Sequence, residues 1–225
     1  MLNHEWIRKT EEFLKEKFDN ATEFEQEDLP YRLEHTYRVA NIGREIAAKE
    51  GFDETCMVIA CLLHDISYCE AFGENRFWPA WKEHGKRSAE IARPFLEELG
   101  LPEDRIDEIC YGITIHVDGK TDPSGINTPL ALSVGDADGI DHFDAYRLHE
   151  ALHRDAFLEK PYEEQLEYAE KRISRLRELR NEKACTKTAE EMWKSRVDFF
   201  IDFFERLADQ LKRSKSVIDE QTAEE

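Results

Sequence analysis

The sequence predicts an all-α fold, and three observations support this. Apolar residues recur at three- and four-residue steps along most of the chain, which is the period of an amphipathic helix. No segment alternates apolar and polar residues in the way that a half-buried strand requires. Proline and glycine stand where such helices would begin and end, as at Pro30, Gly51 and Gly100. The expected architecture is a helical bundle.

The first part of the chain is expected to form a series of helices with two irregular connections. Helices are predicted over about 2–18, from Pro30 to Gly51, from Asp53 to about Ile66, over about 84–99 and over about 103–116. The connection 70–83 is rich in aromatic residues and is interpreted as a lid. Its Phe77, Trp78 and Trp81 could stack on a nucleobase or simply pack within the connection. The second connection, 117–129, has the composition of a flexible loop.

One further helix is predicted over about 130–153, in which Gly135 and Gly139 mark close packing or a bend. Two amphipathic helices should follow, from Tyr162 to Leu179 and from Trp193 to Leu211. Their apolar stripes would bury against the rest of the chain or in a homodimer. The expected domains are a core with its N-terminal helix over 1–155, a helical extension packed on the core over 156–213 and a disordered tail over 214–225.

Composition excludes several classes of function. The 225 residues carry a formal net charge of −19, which repels both nucleic acid and anionic membranes. No apolar run is long enough to span a bilayer and the N-terminus has no leader pattern, so we expect a cytoplasmic protein. The five cysteines form no CxxC pair and are expected to be free thiols. An anionic substrate would need local positive charge.

The stretch Ala60–Ile66, "ACLLHDI", places two ionisable residues at the end of an apolar run. A carboxylate buried there needs a cation, a network of donors or a route to water. On neighbouring predicted helices, other histidine and aspartate side chains also align with apolar residues. The inward-facing set is His35, His64, Asp65, His84, His116 and Asp138.

Inward-facing His and Asp side chains on separate helices are the groups from which helical bundles build metal sites. Imidazole nitrogens and carboxylate oxygens suit Mn²⁺, Fe²⁺, Co²⁺, Ni²⁺, Zn²⁺ or Mg²⁺, and no thiolate is needed. Such an ion lowers the pKa of a bound water and can neutralise a phosphoryl oxygen. The sequence therefore predicts a divalent metal centre, with one ion or two.

These residues reproduce the H…HD…D signature of the HD-domain metal-dependent phosphohydrolase superfamily, which the chain resembles. The segment "EHGKRSAEIARPFL" is similar to the H-A-x-x-S-A helix of small stand-alone prokaryotic members, and "ITIHV" resembles their I-x-x-H element. The segment "TAEEMWKSRVDFFIDFFERL" resembles their C-terminal helix. After Asp141, "HFDAYRLHEALH" departs from the pattern, which leaves the substrate pocket unassigned.

The resemblance implies an all-α HD-domain bundle and assigns roles to particular residues. The metal ligands would be His35, His64, Asp65 and Asp138, with Asp136 a poorer choice than Asp138. The catalytic residues would be Asp65, His84 and His116, of which the two histidines contact phosphate or hold a second ion that Asp65 bridges. The expected reaction is hydrolysis of a phosphoester or phosphoanhydride in a small substrate, a nucleotide first among the candidates. Substrate-binding cations would be Lys86, Arg87 and Lys120.

Three alternatives remain open from the sequence. The same six residues could hold two irons and support an oxygenase, as in some proteins with the HD fold. The chain could also be a non-catalytic module that binds metal and nucleotide. Finally, His149–His153, "HEALH", matches the HExxH pattern of zinc proteases, but charged residues follow at once and no third ligand stands out.

Overall fold

The computed structural model describes residues 2–21, 28–70, 79–117 and 125–214. In these ranges the helices are α1 His4–Asp19, α2 Asp28–Glu50, α3 Glu54–Leu63, α4 Pro79–Leu99, α5 Glu103–Ile115, α6 Pro129–Asp141, α7 Ala145–Arg154, α8 Tyr162–Leu179 and α9 Lys187–Lys212. Short 3₁₀ helices cover Ile66–Cys69 and Phe157–Glu159. The described residues contain no strand, and the predicted all-α fold is confirmed.

Local capping explains where the helices begin and end. The Asp53 side chain accepts hydrogen bonds from the backbone N–H groups of Thr55 and Cys56, which fixes the start of α3. Gly51 has φ +79° and follows the last turn of α2, a backbone conformation that favours glycine.

The prediction of a single helix over about 130–153 is wrong, because one helix ends at Asp141 and a second begins at Ala145. Asp144 adopts an extended conformation, and its side chain accepts a hydrogen bond from the Ala145 N–H group. It therefore caps a new helix, α7. Periodicity alone did not reveal this break, since apolar residues continue at helical spacing on both sides.

Two compact units make up the fold, and the first comprises Met1–Asp141 with Ala184–Glu190. Every residue from Thr55 to Leu63 is buried, so α3 forms the centre of this unit. Helix α2 packs on α3 and α6, while α5 packs on α4 and α6. Cys56, Cys61 and Cys110 are buried free thiols, as expected.

Two glycines allow close approach of the helices in this unit. A Cβ on Gly135 of α6 would lie 3.0 Å from the carbonyl oxygen of His116. A Cβ on Gly85 of α4 would lie 2.8 Å and 2.7 Å from the carbonyl oxygens of Ile113 and Thr114, near the end of α5. The prediction of close packing at Gly135 is therefore confirmed. Both contacts occur beside histidines of the candidate site.

The second unit comprises His142–Lys183 and Glu191–Glu225. It has its own apolar cluster, to which α7, α8 and α9 contribute buried residues: Leu148, Ala169, Leu176, Val197, Phe200, Phe204 and Ala208. The predicted division at residue 155 and the packing of the extension on the core stay predictions. The predicted tail falls almost wholly outside the described residues. No helix in the described ranges is long and apolar enough to cross a membrane.

Candidate metal centre

The first unit brings all six inward-facing residues of the predicted site together. They are His35 on α2, His64 and Asp65 directly after α3, His84 on α4, His116 directly after α5 and Asp138 on α6. We call these six residues the ligand cluster. All but Asp138 are buried, whereas 19% of the Asp138 side chain is exposed. Solvent therefore reaches the cluster on the side of Asp138.

Asp65 lies between two pairs of histidines. Its Oδ2 atom is 3.9 Å from His35 Nε2 and 3.6 Å from His64 Nε2, which we call the first pair. Its Oδ1 atom is 3.2 Å from His84 Nε2 and 3.6 Å from His116 Nε2, the second pair. The two carboxylate oxygens thus face different sets of nitrogen donors. The backbone of Asp65, with φ −107° and ψ 14°, lies in the sparsely populated bridge region.

Asp138 completes the set around the first pair. Its Oδ1 atom lies 3.1 Å from His35 Nε2 and 3.8 Å from His64 Nε2. Groups of three ligand atoms that lie within 4.8 Å of one another form on both sides of Asp65: His35, His64 and Asp65 on one side, and Asp65, His84 and His116 on the other. The cluster could therefore hold a metal ion.

The ends of α3 and α5 orient two of these imidazole rings. His64 Nδ1 lies 2.7 Å from the carbonyl oxygen of Cys61, and His116 Nδ1 lies 2.6 Å from that of Ile113. A carbonyl oxygen only accepts, so each Nδ1 carries the proton and donates it. These carbonyls belong to the last turns of their helices and have no partner within the helix. In the neutral ring, the Nε2 lone pair is then directed into the cluster.

The environment of His64 Nε2 indicates whether the ligand cluster suits a metal ion. This atom is buried and has no hydrogen-bond partner among the described residues. Burial lowers the pKa of His64 to about 4, so the ring is neutral at physiological pH and Nε2 is a bare lone pair. A buried polar atom of this kind is costly unless a partner satisfies it. Two carboxylates lie less than 4 Å away, and together these donors fit a divalent cation.

A further carboxylate, that of Asp141, holds the other side of the His35 ring, and the sequence patterns did not point to it. The Nδ1–H of His35 donates to Asp141 Oδ2 over 2.8 Å, which leaves Nε2 for the cluster. Arg38 in turn donates to Asp141 through Nε, at 2.7 Å. Asp141 lies three residues after Asp138 on α6, so helical spacing could have identified it as a neighbour on the same face.

Neighbouring groups in the cluster shift one another's pKa values in the direction that favours the charged forms. Burial lowers the pKa of His35, but hydrogen bonds to Asp138 and Asp141 outweigh it and raise the pKa to about 9. Burial raises the pKa of Asp141, but the same hydrogen bond from His35 and the pair with Arg38 hold it below its ordinary value. Burial likewise raises the pKa of Asp65, but the surrounding imidazoles and Arg32 hold it well below its ordinary value. Asp65 and Asp141 are therefore ionised, and the negative charge at the cluster favours a cation.

The second pair is in direct contact. The Nε2 atoms of His84 and His116 lie 3.0 Å apart, and both also face Asp65 Oδ1. Burial lowers the pKa of His116, but its hydrogen bond to Asp65 and that carboxylate's charge raise it above the ordinary value. Ser67 connects α4 to the 3₁₀ helix Ile66–Cys69, because its hydroxyl donates to the carbonyl oxygen of His84. The pair can share a proton or hold an ion with Asp65.

Arg32 is a second residue that the sequence analysis missed. Its Nη1 atom donates to Asp65 Oδ2 over 3.0 Å, and its guanidinium lies 3.8 Å above the ring of Tyr68. Arg32 precedes His35 by three residues on α2, and this spacing places the two side chains on one helical face. It supplies positive charge at the ligand cluster.

The cations predicted to bind substrate are exposed on α4 or fall outside the described residues, and their role stays a prediction. Lys86 and Arg87 are exposed, although they lie between the buried His84 and Ser88 along α4. Arg87 pairs with Glu70 and Glu90. Lys120, Phe77, Trp78 and the side chain of Trp81 fall outside what the structure describes.

Asp136, the poorer candidate for a metal ligand, is used differently. Its Oδ2 atom accepts a hydrogen bond from the backbone N–H of Cys185 over 2.8 Å. It therefore fixes the segment Ala184–Glu190 to the first unit.

The HEALH segment does not form a protease-like site in the described structure. His149 and His153 are exposed on α7, and Glu150 pairs with Arg147. Among the described residues, neither histidine belongs to a cluster of three side chains that could hold a metal ion. The match to HExxH is therefore best explained by chance in a chain rich in Glu.

Comparisons with known proteins agree with this architecture. The chain is similar to the crystal structure of a predicted HD superfamily hydrolase from an uncultured Thermotogales bacterium, with 22% identity and a TM-score of 0.62 over 90% of this chain and 91% of that one. It is also similar to that of an HD-superfamily hydrolase from Bacillus thuringiensis, with 19% identity and a TM-score of 0.61 over 92% and 97% of the two chains. No match to a curated protein was found.

A match to a protein-family model identifies the family of this chain. Residues 32–146, just over half of the chain, match the model of the HD domain. This range includes every residue of the ligand cluster as well as Arg32 and Asp141. The chain therefore belongs to the HD domain family.

Proposed function

We propose that this protein is a metal-dependent hydrolase, and more specifically a phosphohydrolase that cleaves a phosphoester or phosphoanhydride of a small substrate. The observation that carries the proposal is the buried Nε2 lone pair of His64, which lacks a hydrogen-bond partner among the described residues and faces the carboxylates of Asp65 and Asp138. The two solved structures described above are those of HD superfamily hydrolases, which supports a hydrolase in general.

The ion would be held by the first pair and the two carboxylates of the cluster: His35, His64, Asp65 and Asp138. A bound divalent ion supplies hydroxide at neutral pH, by lowering the pKa of a coordinated water, and neutralises charge on a phosphoryl oxygen. Mn²⁺, Fe²⁺, Co²⁺, Ni²⁺, Zn²⁺ and Mg²⁺ all suit imidazole and carboxylate ligands.

The remaining chemistry falls to side chains of the chain itself. His116 has a raised pKa and lies beside His84, so this pair can donate hydrogen bonds or a proton to oxygens on which negative charge develops. Asp65 Oδ1 faces the pair, and its negative charge stabilises the protonated form of His116. These groups are buried, and electrostatic stabilisation is stronger where water is excluded.

An anionic substrate is supported by the position of Arg32. The chain as a whole carries a net charge of −19, which would repel a phosphorylated molecule. The Arg32 guanidinium lies 3.0 Å from Asp65 and offsets this field at the ligand cluster. A nucleotide is the first substrate class to test, on the resemblance to small HD-domain phosphohydrolases.

The test combines metal analysis with phosphate release. Purified protein is analysed for bound metal and then assayed with each divalent ion against nucleoside mono-, di- and triphosphates, cyclic nucleotides and general phosphoesters. We expect metal-dependent phosphate release, with Asp65→Ala losing at least 100-fold in kcat/KM and most of its bound metal. Asp136→Ala, on the same helix as Asp138, should retain both. Full metal content and full activity in Asp65→Ala would overturn the proposal.

A second candidate is a di-iron oxygenase, and the position of Asp65 between both histidine pairs favours it. In that case all six residues of the cluster would be ligands and Asp65 would bridge two irons. Two irons per chain together with substrate-dependent O₂ consumption would establish the oxygenase. Phosphate release with Mn²⁺, Ni²⁺ or Co²⁺ under anaerobic conditions would exclude it as the main activity.

A further inference from the structure

The orientation of the Asp65 carboxylate decides what the ligand cluster can bind. Its Oδ2 atom faces the first pair and its Oδ1 atom faces the second pair, at 3.2–3.9 Å from the four Nε2 atoms. A rotation about the Cβ–Cγ bond would direct both oxygens away from these nitrogens. Because this torsion has broad wells in aspartate, the side chain alone does not hold the observed plane.

The positively charged side chain of Arg32 contacts this carboxylate. Its Nη1 atom lies 3.0 Å from Oδ2, so one oxygen of Asp65 is held on the side of the first pair. When Oδ2 is fixed, the planar carboxylate leaves Oδ1 facing the second pair. One hydrogen bond therefore constrains both oxygens.

Arg32 is itself held in place by Tyr68. The guanidinium carbon lies 3.8 Å from the centre of the Tyr68 ring, a distance at which cation–π attraction and stacking restrict a long side chain. Tyr68 follows Asp65 by a single 3₁₀ turn, and its backbone N–H donates to the Asp65 carbonyl oxygen over 3.0 Å. The aromatic platform is therefore fixed relative to the carboxylate that Arg32 holds.

We propose that Arg32, stacked on Tyr68, is a positioning residue that holds the Asp65 carboxylate with one oxygen toward each histidine pair. Partners that orient a metal-binding carboxylate contribute to metal affinity, and their loss commonly costs 10–100-fold. The charge of Arg32 acts in the opposite direction, since a cation close to the site repels a metal ion. The two effects predict opposite results when Arg32 is removed. This inference rests on the proposed metal site of the hydrolase.

Metal binding to the metal-free protein separates these effects without an activity assay. The protein is stripped with a chelator and titrated with Mn²⁺ and Ni²⁺ by calorimetry, which yields affinity and stoichiometry. We expect Arg32→Ala to bind about 10-fold more weakly than the wild type, because the orientation of Asp65 is lost. Arg32→Lys should weaken binding similarly, since a lysine retains the charge but not the planar guanidinium.

Substitutions of Tyr68, whose ring stacks on Arg32, test the same inference independently. Tyr68→Leu removes the aromatic ring and should weaken metal binding, whereas Tyr68→Phe retains the ring and should bind as the wild type does. Arg44→Ala is the matched control, since Arg44 is an exposed arginine on the same helix that pairs with Glu54. It should leave the metal affinity unchanged. Thermal melts of the metal-free variants establish that each is folded.

The outcomes distinguish failure of this inference from failure of the proposed function. If the wild type binds neither ion, both the proposed metal site and the role of Arg32 are overturned. If the wild type binds metal and Arg32→Ala binds equally or more tightly, only the positioning role is overturned. Weaker binding in Arg32→Ala and Tyr68→Leu, with wild-type affinity in Tyr68→Phe and Arg44→Ala, is the expected result.

Discussion

At the scale of single residues, three histidines of the ligand cluster use one ring nitrogen for support and present the other inward. His64 and His116 donate Nδ1–H to carbonyls of the preceding helix turn, and His35 donates to the carboxylate of Asp141. The identity of the atom that donates fixes the tautomer. Each support therefore leaves Nε2 as the nitrogen available to an ion, and at His35, whose pKa is raised to about 9, the ion must displace the Nε2 proton.

Substitution of Asp141 tests this dependence. In Asp141→Asn the charge that supports His35 and pairs with Arg38 is lost, and the amide can present its NH₂ group to Nδ1. We expect the affinity for Mn²⁺ or Ni²⁺ to fall about 10–100-fold, as measured by titration of the metal-free protein. Asp202→Asn, in an exposed pair with Arg206, should not change the affinity. An unchanged affinity in Asp141→Asn would show that Asp141 does not support the site.

At the scale of elements, the ligand cluster depends on how closely helices approach one another. Helix α4 contributes His84, and the next residue, Gly85, has no room for a Cβ beside the carbonyl oxygens of Ile113 and Thr114 near the end of α5. His116 follows two residues later. The 3.0 Å contact between the second pair therefore requires a residue without a side chain at position 85.

Gly85→Ala should reverse the usual effect of this substitution. Alanine in place of glycine within a helix normally stabilises it by about 1 kcal/mol. Here the added Cβ would lie 2.7 Å and 2.8 Å from two backbone oxygens, so the helices must separate. We expect the free energy of unfolding in urea to fall by about 1–3 kcal/mol. The neighbouring exposed Lys86→Ala should change it by less than about 0.5 kcal/mol. Stabilisation by Gly85→Ala would contradict the observed contact.

At the scale of the whole molecule, residues far apart in the sequence form one buried and strongly charged site in an acidic chain. Four histidines and two carboxylates, carried on or directly after five helices, meet in the first unit, where the side chains of Arg32 and Arg38 add positive charge. A bound cation would favour the folded form over the unfolded chain, in which no such site exists.

Metal ions should therefore stabilise the folded protein. We expect Mn²⁺ or Ni²⁺ at 100 times its dissociation constant to add about 2.7 kcal/mol, seen as a rise in Tm of the metal-free protein. Asp138→Ala should lose most of this rise, whereas Asp136→Ala should show the full rise above its own baseline, because Asp136 bonds to the backbone of Cys185. Equal rises in all three proteins would indicate non-specific binding to the acidic surface.

Much of the fold and of the candidate site could be predicted because the signals are local. Helical periodicity and caps identify most helices within a few residues, and alignment with apolar positions identifies the six side chains that turn inward. The break at 142–144 was missed because a cap at Asp144 interrupts a pattern that is otherwise continuous. Proximity to His84 in sequence predicts Arg87 as a substrate-binding cation, and the structure shows this exposed side chain paired with Glu70.

The sequence by itself determined the all-α fold, the residue types of the ligand cluster and the resemblance to HD-domain proteins, since these follow from spacing along the chain. Only the tertiary structure decided which nitrogen each imidazole presents, that Asp141 supports His35, and that Arg32 rather than Arg87 reaches the cluster. The physical reason is that periodicity fixes the face on which a side chain lies. The distance between atoms on different helices depends on where helices end and how closely they pack, as at Gly85.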